Sequence, residues 1–387
     1  MKFKKLAIIT THPIQYNAPL FEMLSQRSIV DIKVFYTWGE SVMKSKYDPG
    51  FKKNITWDIP LLIGYEYTFV KNISKHPGSN HYRGIINPTL INEIETWGAD
   101  AILVFGWKFK SHLKCLKYFS KKITVLFRGD STLLDNAQKG FKSIIKSLIL
   151  KSVYKHIDYC LYVGNENKKY YLKYGIKEKQ LIFAPHAIDN TRFNVKSVFT
   201  LREHLYINKN NFVFLFAGKL EHKKNPILLL NAFIVLNIPN TNLIIVGNGE
   251  LELDIKNIIS KTEQSIRERI FMIDFQNQQR MPMVYKTADV FVLPSQGPGE
   301  TWGLAVNEAM ASGVPVIVSN KCGCFSDLIE DYKNGILFKS NDLNSLIAAM
   351  KFMVEHKDQK RLMGKNAVEF ILNWSYKKVC TSVESIL

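Results

Sequence analysis

What this chain lacks excludes several kinds of function. No apolar run approaches the ~18 residues that a membrane-crossing helix requires. The opening MKFKKLAIITTHPIQ has a basic lead, but its apolar run stops at Thr11-His12-Pro13. That is too short for the core of a signal peptide and suits a first buried strand, so a cytoplasmic protein is expected. The five cysteines, Cys115, Cys160, Cys322, Cys324 and Cys380, include no C-x-x-C pair. Such a scattered, odd set reads as reduced thiols. Cys322 and Cys324 are too close together for a usual zinc half-site, so no metal is expected. Arginine is scarce, at 9 of 52 cations. Lysine reads base edges poorly, and no zinc-finger spacing, RNP-like aromatic motif or basic-leucine heptad is present, so no nucleic-acid partner is expected. The full G-x-G-x-x-G is missing too: after Gly247 and Gly249 the third glycine is replaced by Glu252. This disfavours a dehydrogenase. No D-x-D is found, the usual carboxylate pair for a metal-bound sugar nucleotide.

The 387 residues suffice for two domains with their own cores. The net charge of +18 is uneven: residues 1–190 carry 29 Lys+Arg against 15 Asp+Glu, and residues 191–387 carry 23 against 19. Two explanations stand for the basic first half, a compositional bias toward Lys, Asn and Ile, and attraction to anionic lipid head groups. In QKGFKSIIKSLI (138–149), Phe141, Ile144, Ile145 and Leu148 share one helical face, and Lys139, Lys142 and Lys146 lie on another. That pattern suits a helix resting on an anionic membrane surface, and equally a core-packed helix with a solvated lysine face.

Apolar runs recur at 212–218, 243–247, 270–275, 289–294, 315–320 and 335–338, rich in β-branched and aromatic residues and without polar alternation. Strands buried on both faces look like this. Helical stretches separate them, as in 225–237 and 341–356, so a doubly wound parallel sheet is expected. The first half repeats the theme at 6–10, 32–37, 101–106, 123–129 and 159–164, with residues 38–90 expected as a long irregular insertion. The reading is two Rossmann-like domains, 1–190 and 191–371, facing across a cleft, with a C-terminal helix over 372–387 packing back on the first. Ligands of such sheets bind beyond the carboxyl ends of the strands.

Three strand ends then carry candidate chemistry. Gly218, Lys219 and Lys224 follow the 212–217 run and lead into a helix opened by Asn225-Pro226; two ammonium groups beside a helix N-terminus suit a phosphate, or are two solvated lysines. The turn Gly247-Asn248-Gly249 suggests a ligand or a helix packing close to the backbone. After 289–293 comes PSQGPGETWGLAVNEAMASG, where a helix is expected to start near Thr301–Gly303 and stop at Gly313. Glu300 then stands at the helix mouth and Glu308 two turns in, with the N–H groups of Gly303 and Leu304 open to an anion; taken alone, the two glutamates also suit an ordinary solvated helix face.

Taken together, FAGKLEHKKN, VGNGE and DVFVLPSQGPGETWGLAVNEAMASGVPVIVSN resemble, in order and spacing, segments of retaining glycosyltransferases of GT-B architecture, family 4. THPIQYNAPLF (11–21) resembles a bacterial cell-surface polysaccharide subgroup. The resemblance implies an α/β GT-B fold. It implies transfer of a sugar from a nucleotide-diphosphate donor, UDP- or GDP-type, to an acceptor hydroxyl on a glycan or lipid-linked precursor, without a metal. No cofactor is implied, the sugar nucleotide being a substrate. Carried over by position, Lys219 and Lys224 bind the diphosphate with Gly218 and Gly249 nearby. Glu300 meets the sugar, Glu308 the ribose, and Phe275 and Gln276 the base. His12, Gln15, Tyr16, Arg128, Asp130 and His186 fall on the acceptor side, His12 and Asp130 with catalytic roles. Two departures stand out: the family more often has arginine at position 219, and histidine near position 130. For His12 an ordinary capped turn ahead of a helix at Asn17 is open as well, and for His186 a structural turn. A peripheral position on the inner face of the cytoplasmic membrane is expected from the lysine-rich half. A nucleotide-sugar epimerase of similar shape and a non-catalytic two-domain ligand-binding protein stay open as alternatives.

Overall fold

The computed structural model describes residues 4–40, 46–134, 141–195 and 200–387. The chain divides into two compact units, one of residues 1–46, 59–186 and 376–387, the other of residues 47–58 and 187–375.

The first unit is built on a seven-stranded sheet. Its strands are β1 (Lys5–Thr10), β2 (Asp31–Tyr36), β5 (Glu66–Phe69), β6 (Ala101–Phe105), β7 (Thr124–Arg128), β8 (Tyr159–Tyr162) and β9 (Leu181–Phe183). They lie in the order β5-β2-β1-β6-β7-β8-β9, every neighbour parallel. The interiors of β1, β2, β6, β7 and β8 are largely apolar and buried, as helices on both faces require. Each large apolar side chain so buried contributes about 1.5–3 kcal/mol against the conformational entropy of ordering the chain. The C-terminal helix Tyr376–Glu384 lies in this unit, where Arg27 and Glu384 form a two-pronged ion pair at 2.6 and 2.7 Å.

The stretch 38–90 is more regular than the sequence suggested. Residues Lys46–Asp48 (β3) and Lys53–Ile55 (β4) pair with each other, and β5 adds an edge strand beside β2. Strand β5 escapes a periodicity reading because it is short and half exposed. It is held by rings: Tyr67 and Phe69 both pack on Tyr36, with centroids 6.2 and 5.4 Å away. The helix foreseen over 138–149 runs over Phe141–Tyr154, and Gln138, Lys139 and Gly140 lie outside the described residues. Its core-facing side chains are Leu150, Val153 and Tyr154. Ile144 and Leu148 are 57% and 64% exposed, so the face they share is not the core face.

The second unit carries a six-stranded sheet of β10 (Phe212–Ala217), β11 (Thr241–Val246), β12 (Ile270–Ile273), β13 (Val290–Leu293), β14 (Val316–Ser319) and β15 (Gly335–Phe338). The order is β12-β11-β10-β13-β14-β15, again parallel throughout. Successive strands run outward in one direction from β10 and in the other from β13. The crevice beyond their carboxyl ends is therefore the topological switch point of this sheet, where a parallel sheet admits a ligand.

One buried polar group in the first unit sets a pH dependence. The His112 ring is enclosed, with Nδ1 facing the carbonyls of Phe105 and Gly106 at 3.1 and 2.9 Å and Nε2 at 2.8 Å from the Thr37 hydroxyl. Burial pushes its pKa down to about 4. A base with a depressed folded-state pKa stabilises the fold fully above its unfolded value and loses that contribution as pH falls toward the folded one. Urea unfolding should therefore show stability falling by roughly 2 kcal/mol for this group between about pH 7 and 5. His112→Asn should flatten that part of the profile.

Candidate functional site in the second unit

The loops leaving β10 and β13 bring the sequence-derived candidates together at the switch point. Lys224 Nζ lies 2.7 Å from Glu300 Oε2, and both side chains are largely buried. Burial alone would lower the Lys224 pKa; the Glu300 charge and hydrogen bond outweigh it and hold the ammonium above its ordinary range. The Lys224 ammonium is therefore kept, in surroundings where an unpaired charge would be costly.

The helix after Glu300 is Leu304–Ala311, one residue later than the sequence placed it. Gly303 precedes it with φ 98°, and a Cβ there would meet Cys322 Sγ at 2.5 Å. A side chain is thus excluded both by conformation and by space. The tight fit comes from the Cys322-Gly323-Cys324 turn. Gly323 N–H donates to the Glu300 carbonyl and Cys324 N–H to the Trp302 carbonyl, both at 3.0 Å. A Cβ on Gly323 would fall 1.8 Å from the Thr301 carbonyl oxygen. The two buried cysteines, free thiols with sulfurs 3.6 Å apart, brace the loop that presents Glu300. Glu308 is buried inside the helix and accepts a 2.8 Å hydrogen bond from the Tyr285 hydroxyl. This internal partner was not anticipated.

The glycine turn after β11 also gains a definite role. A Cβ on Gly247 would lie 2.0 Å from the Gly218 carbonyl oxygen, and one on Gly249 would lie 2.5 Å from that of Leu220. The close partner of this turn is the 218–220 backbone. Leu220 N–H donates to the Asn248 carbonyl at 2.9 Å, which fixes the loop that carries Lys219. The Asn248 side chain reaches the other way, donating to Asp274 and accepting from the Phe275 N–H at 3.0 and 2.9 Å. It thereby orders the start of the Phe275-Gln276 segment. Gln276 turns back to donate to the Asp274 carbonyl at 3.0 Å.

Lys219 bears a partner that no spacing argument could supply. Asp48, 171 positions earlier, sits 2.9 and 3.1 Å from its Nζ through the two carboxylate oxygens. Periodicity and motif order report on neighbours in sequence, so this pairing had no signal.

The candidates of the first unit lie at the carboxyl ends of its own strands. His12 follows β1, with Nδ1 2.8 Å from the Thr11 hydroxyl and its ring edge-on to Trp38 at 5.1 Å. Gln15 and Tyr16 are half-buried just before the Ala18–Gln26 helix, whose start is not capped by the Asn17 side chain. Arg128 ends β7 fully enclosed. Its guanidinium donates to the carbonyls of Ala184 and Pro185 at 2.7 and 2.9 Å, so its terminal nitrogens are engaged with the backbone of the crossover. His186 lies beside it; burial first, then the Arg128 charge, push its imidazole down to about 3, partly opposed by Asp130. Arg128, Asp130 and His186 thus form one electrostatic group, with His186 neutral.

Each sheet is parallel with helices flanking it, and the α/β fold is that of GT-B glycosyltransferases. Residues 197–370 match the family model described as "Glycosyl transferases group 1". Over 221 residues the chain is 32% identical to the UDP-Gal:alpha-D-GlcNAc-diphosphoundecaprenol alpha-1,3-galactosyltransferase of Escherichia coli, covering 55% of this chain and 55% of that protein. Over 210 residues it is 27% identical to the D-inositol 3-phosphate glycosyltransferase of Nocardia farcinica, covering 52% and 46%. The chain thus spans about half the length of these curated relatives. The solved structure of Anabaena HepE in complex with UDP and glucose superposes with a TM-score of 0.72 at 14% identity, over 99% of both chains. The family match thus concerns the second unit, and the likeness to solved structures is one of fold.

The two lysines of this site should respond differently to loss of charge. Lys224→Met leaves Glu300 buried without a counter-charge and should destabilise the fold by roughly 3 kcal/mol in urea titrations. Lys219→Met breaks a half-exposed pair and should cost less than about 1 kcal/mol. Equal losses would contradict the assignment of the buried pair.

Proposed function

We propose that this chain is a retaining glycosyltransferase of family 4 that moves a sugar from a nucleotide-diphosphate donor to an acceptor hydroxyl. The acceptor is a lipid-linked or cell-surface glycan precursor of the lipopolysaccharide or capsule type. The observation that carries the reading is the convergence of Lys219, the Lys224–Glu300 pair and the start of the Leu304–Ala311 helix at one switch point. A leaving nucleoside diphosphate gathers negative charge on its oxygens as the bond to the anomeric carbon breaks. Two ammonium groups and the N–H groups of Gly303 and Leu304 stabilise that charge without reorganising. Glu300 takes hydrogen bonds from the donor sugar. Glu308 serves the ribose, with Tyr285 orienting it, and Phe275 and Gln276 flank the base. The second unit is the donor side. The first is the acceptor side, with His12, Gln15 and Tyr16 at the end of β1 and Asp130 beside neutral His186. The chemistry needs no metal in this scheme, since fixed cations do that work.

The Escherichia coli relative, whose name specifies UDP-Gal and a diphosphoundecaprenol-linked GlcNAc, supplies the first donor and acceptor to try. The test is transfer from UDP-galactose, UDP-glucose and GDP-mannose to GlcNAc-diphosphoundecaprenol, with the anomeric configuration of the product read by NMR. An α-linked product is expected, and Lys219→Ala and Glu300→Gln should each lower turnover by about a hundredfold or more. Near-normal transfer by both variants would overturn the roles given. Interconversion of the sugar nucleotide without transfer to an acceptor would favour an epimerase.

A lipid-linked acceptor calls for a protein that works at a membrane surface, and no helix among the described residues is long and apolar enough to cross one. We place the Phe141–Tyr154 helix at that surface. Ile144, Ile145, Leu148 and Ile149 are exposed on it, beside exposed Lys142 and Lys151. Vesicles containing phosphatidylglycerol should sediment the protein at low salt, and Ile144→Ser with Leu148→Ser should weaken that binding severalfold. A protein left in the supernatant at low salt would reject the placement.

A further inference from the structure

Segment 47–58 lies on the surface that the proposed function gives to the diphosphate and the base, and its contacts are specific along its length. At one end Asp48 engages Lys219 through both carboxylate oxygens, at 2.9 and 3.1 Å. The carboxylate is itself fixed, since Oδ1 accepts the N–H groups of Gly50 and Phe51 at 2.8 and 3.1 Å. A Cβ on Gly50 would lie 2.6 Å from Lys219 Cδ, so a glycine is what lets the lysine come this close. In the middle, the Phe51 ring stands 4.7 Å from the Phe275 ring, with Lys219 Nζ 5.0 Å from the Phe51 centroid. Lys53 pairs with Asp274 at 2.8 Å. At the far end Asn277 donates to the Thr56 carbonyl at 2.6 Å, and the Gln279 N–H faces the Asp58 carboxylate at 3.2 Å.

Charge decides what this arrangement does. A nucleoside diphosphate is polyanionic, and Lys219 already carries a bidentate carboxylate. Bringing the diphosphate to the same ammonium while Asp48 stays would set like charges side by side in a half-buried place, where they repel most strongly. Lys224 lessens this repulsion only in part, because Glu300 already pairs with its ammonium. Phe51 meanwhile covers the Phe275 ring on which a base would stack. The segment and the ligand compete for the same two groups.

We propose that residues 47–58 are an autoinhibitory strap, in which Asp48 occupies the Lys219 ammonium as an internal anion that a nucleoside diphosphate displaces on binding. The proposal rests on the reading of Lys219 as a diphosphate cation. In the unliganded chain the strap pairs the Lys219 ammonium and closes it to stray anions. Binding then carries the cost of opening it, so donor affinity is set partly by how well the strap holds.

Asp48→Asn keeps the turn to Gly50 and Phe51 but removes the charge. In the full-length protein, UDP binding by calorimetry should tighten by about 2- to 5-fold in this variant, the range a half-exposed ion pair supports. Lys53→Met, which loosens the strap away from Lys219, should shift affinity the same way by a smaller factor. Amide hydrogen exchange gives a second readout: residues 47–58 should exchange faster in Asp48→Asn, and faster in the wild type once UDP is added. Unchanged or weaker UDP binding by Asp48→Asn would overturn the strap, as would protection of 47–58 by UDP, which would mean that the segment clasps the ligand. If UDP binds neither protein while exchange over 47–58 still rises in Asp48→Asn, the diphosphate reading of Lys219 fails and the strap fails with it.

Discussion

The buried pair between Lys224 and Glu300 is the constraint around which the second unit is arranged. An ammonium and a carboxylate withdrawn from water are tolerated only when they meet with good geometry. That requirement couples the loop after β10 to the loop after β13 across the switch point of the sheet. Everything near it can be read as holding those two loops still. The Gly247-Asn248-Gly249 turn props the first through backbone contacts, and the Cys322-Gly323-Cys324 turn props the second. The same pair sets a cation against a carboxylate on the loop that leads into the Leu304–Ala311 helix.

The first unit meets the problem differently. In its polar cluster Arg128 is buried beside half-buried His186 and exposed Asp130, and its guanidinium is tied to carbonyls of the crossover. The charge there holds a chain segment in place and keeps a histidine neutral. The second unit presents its charge at the ends of loops. Two parallel sheets thus use buried cations differently, one to fasten backbone and one to tie two loops together.

The parallel strands were legible because they are buried on both faces and therefore written as unbroken apolar runs, as in FVFLFA and LIIV. The loops bearing Lys219, Lys224 and Glu300 were legible because strand ends in such sheets are where chemistry collects, and because their glycines and prolines mark the turns. What stayed hidden depends on the third dimension alone. Strand β5 is a half-exposed edge held by aromatic rings. Tyr285 finds Glu308 across a helix interface, and the two cysteines read as inert thiols give no hint that they brace the Glu300 loop. Asp48 lies in a stretch with weak periodicity, and its partner is far along the chain. The 144–148 face had two open readings, and only its exposure separates them. Local patterns carry strand and turn identity well, while partnerships between distant segments leave no local trace.

The glycines of the second unit have a consequence for how this site can change. At Gly247, Gly249 and Gly323 the neighbour in contact is a carbonyl oxygen of the main chain, an atom every amino acid possesses. At these three turns the fit is thus set by peptide against peptide. Residues facing a ligand can be exchanged, and specificity with them, without disturbing the frame, whereas one added methyl group at any of the three would force the frame apart. Such a frame is rigid in how it is built while leaving the side chains around it free to vary.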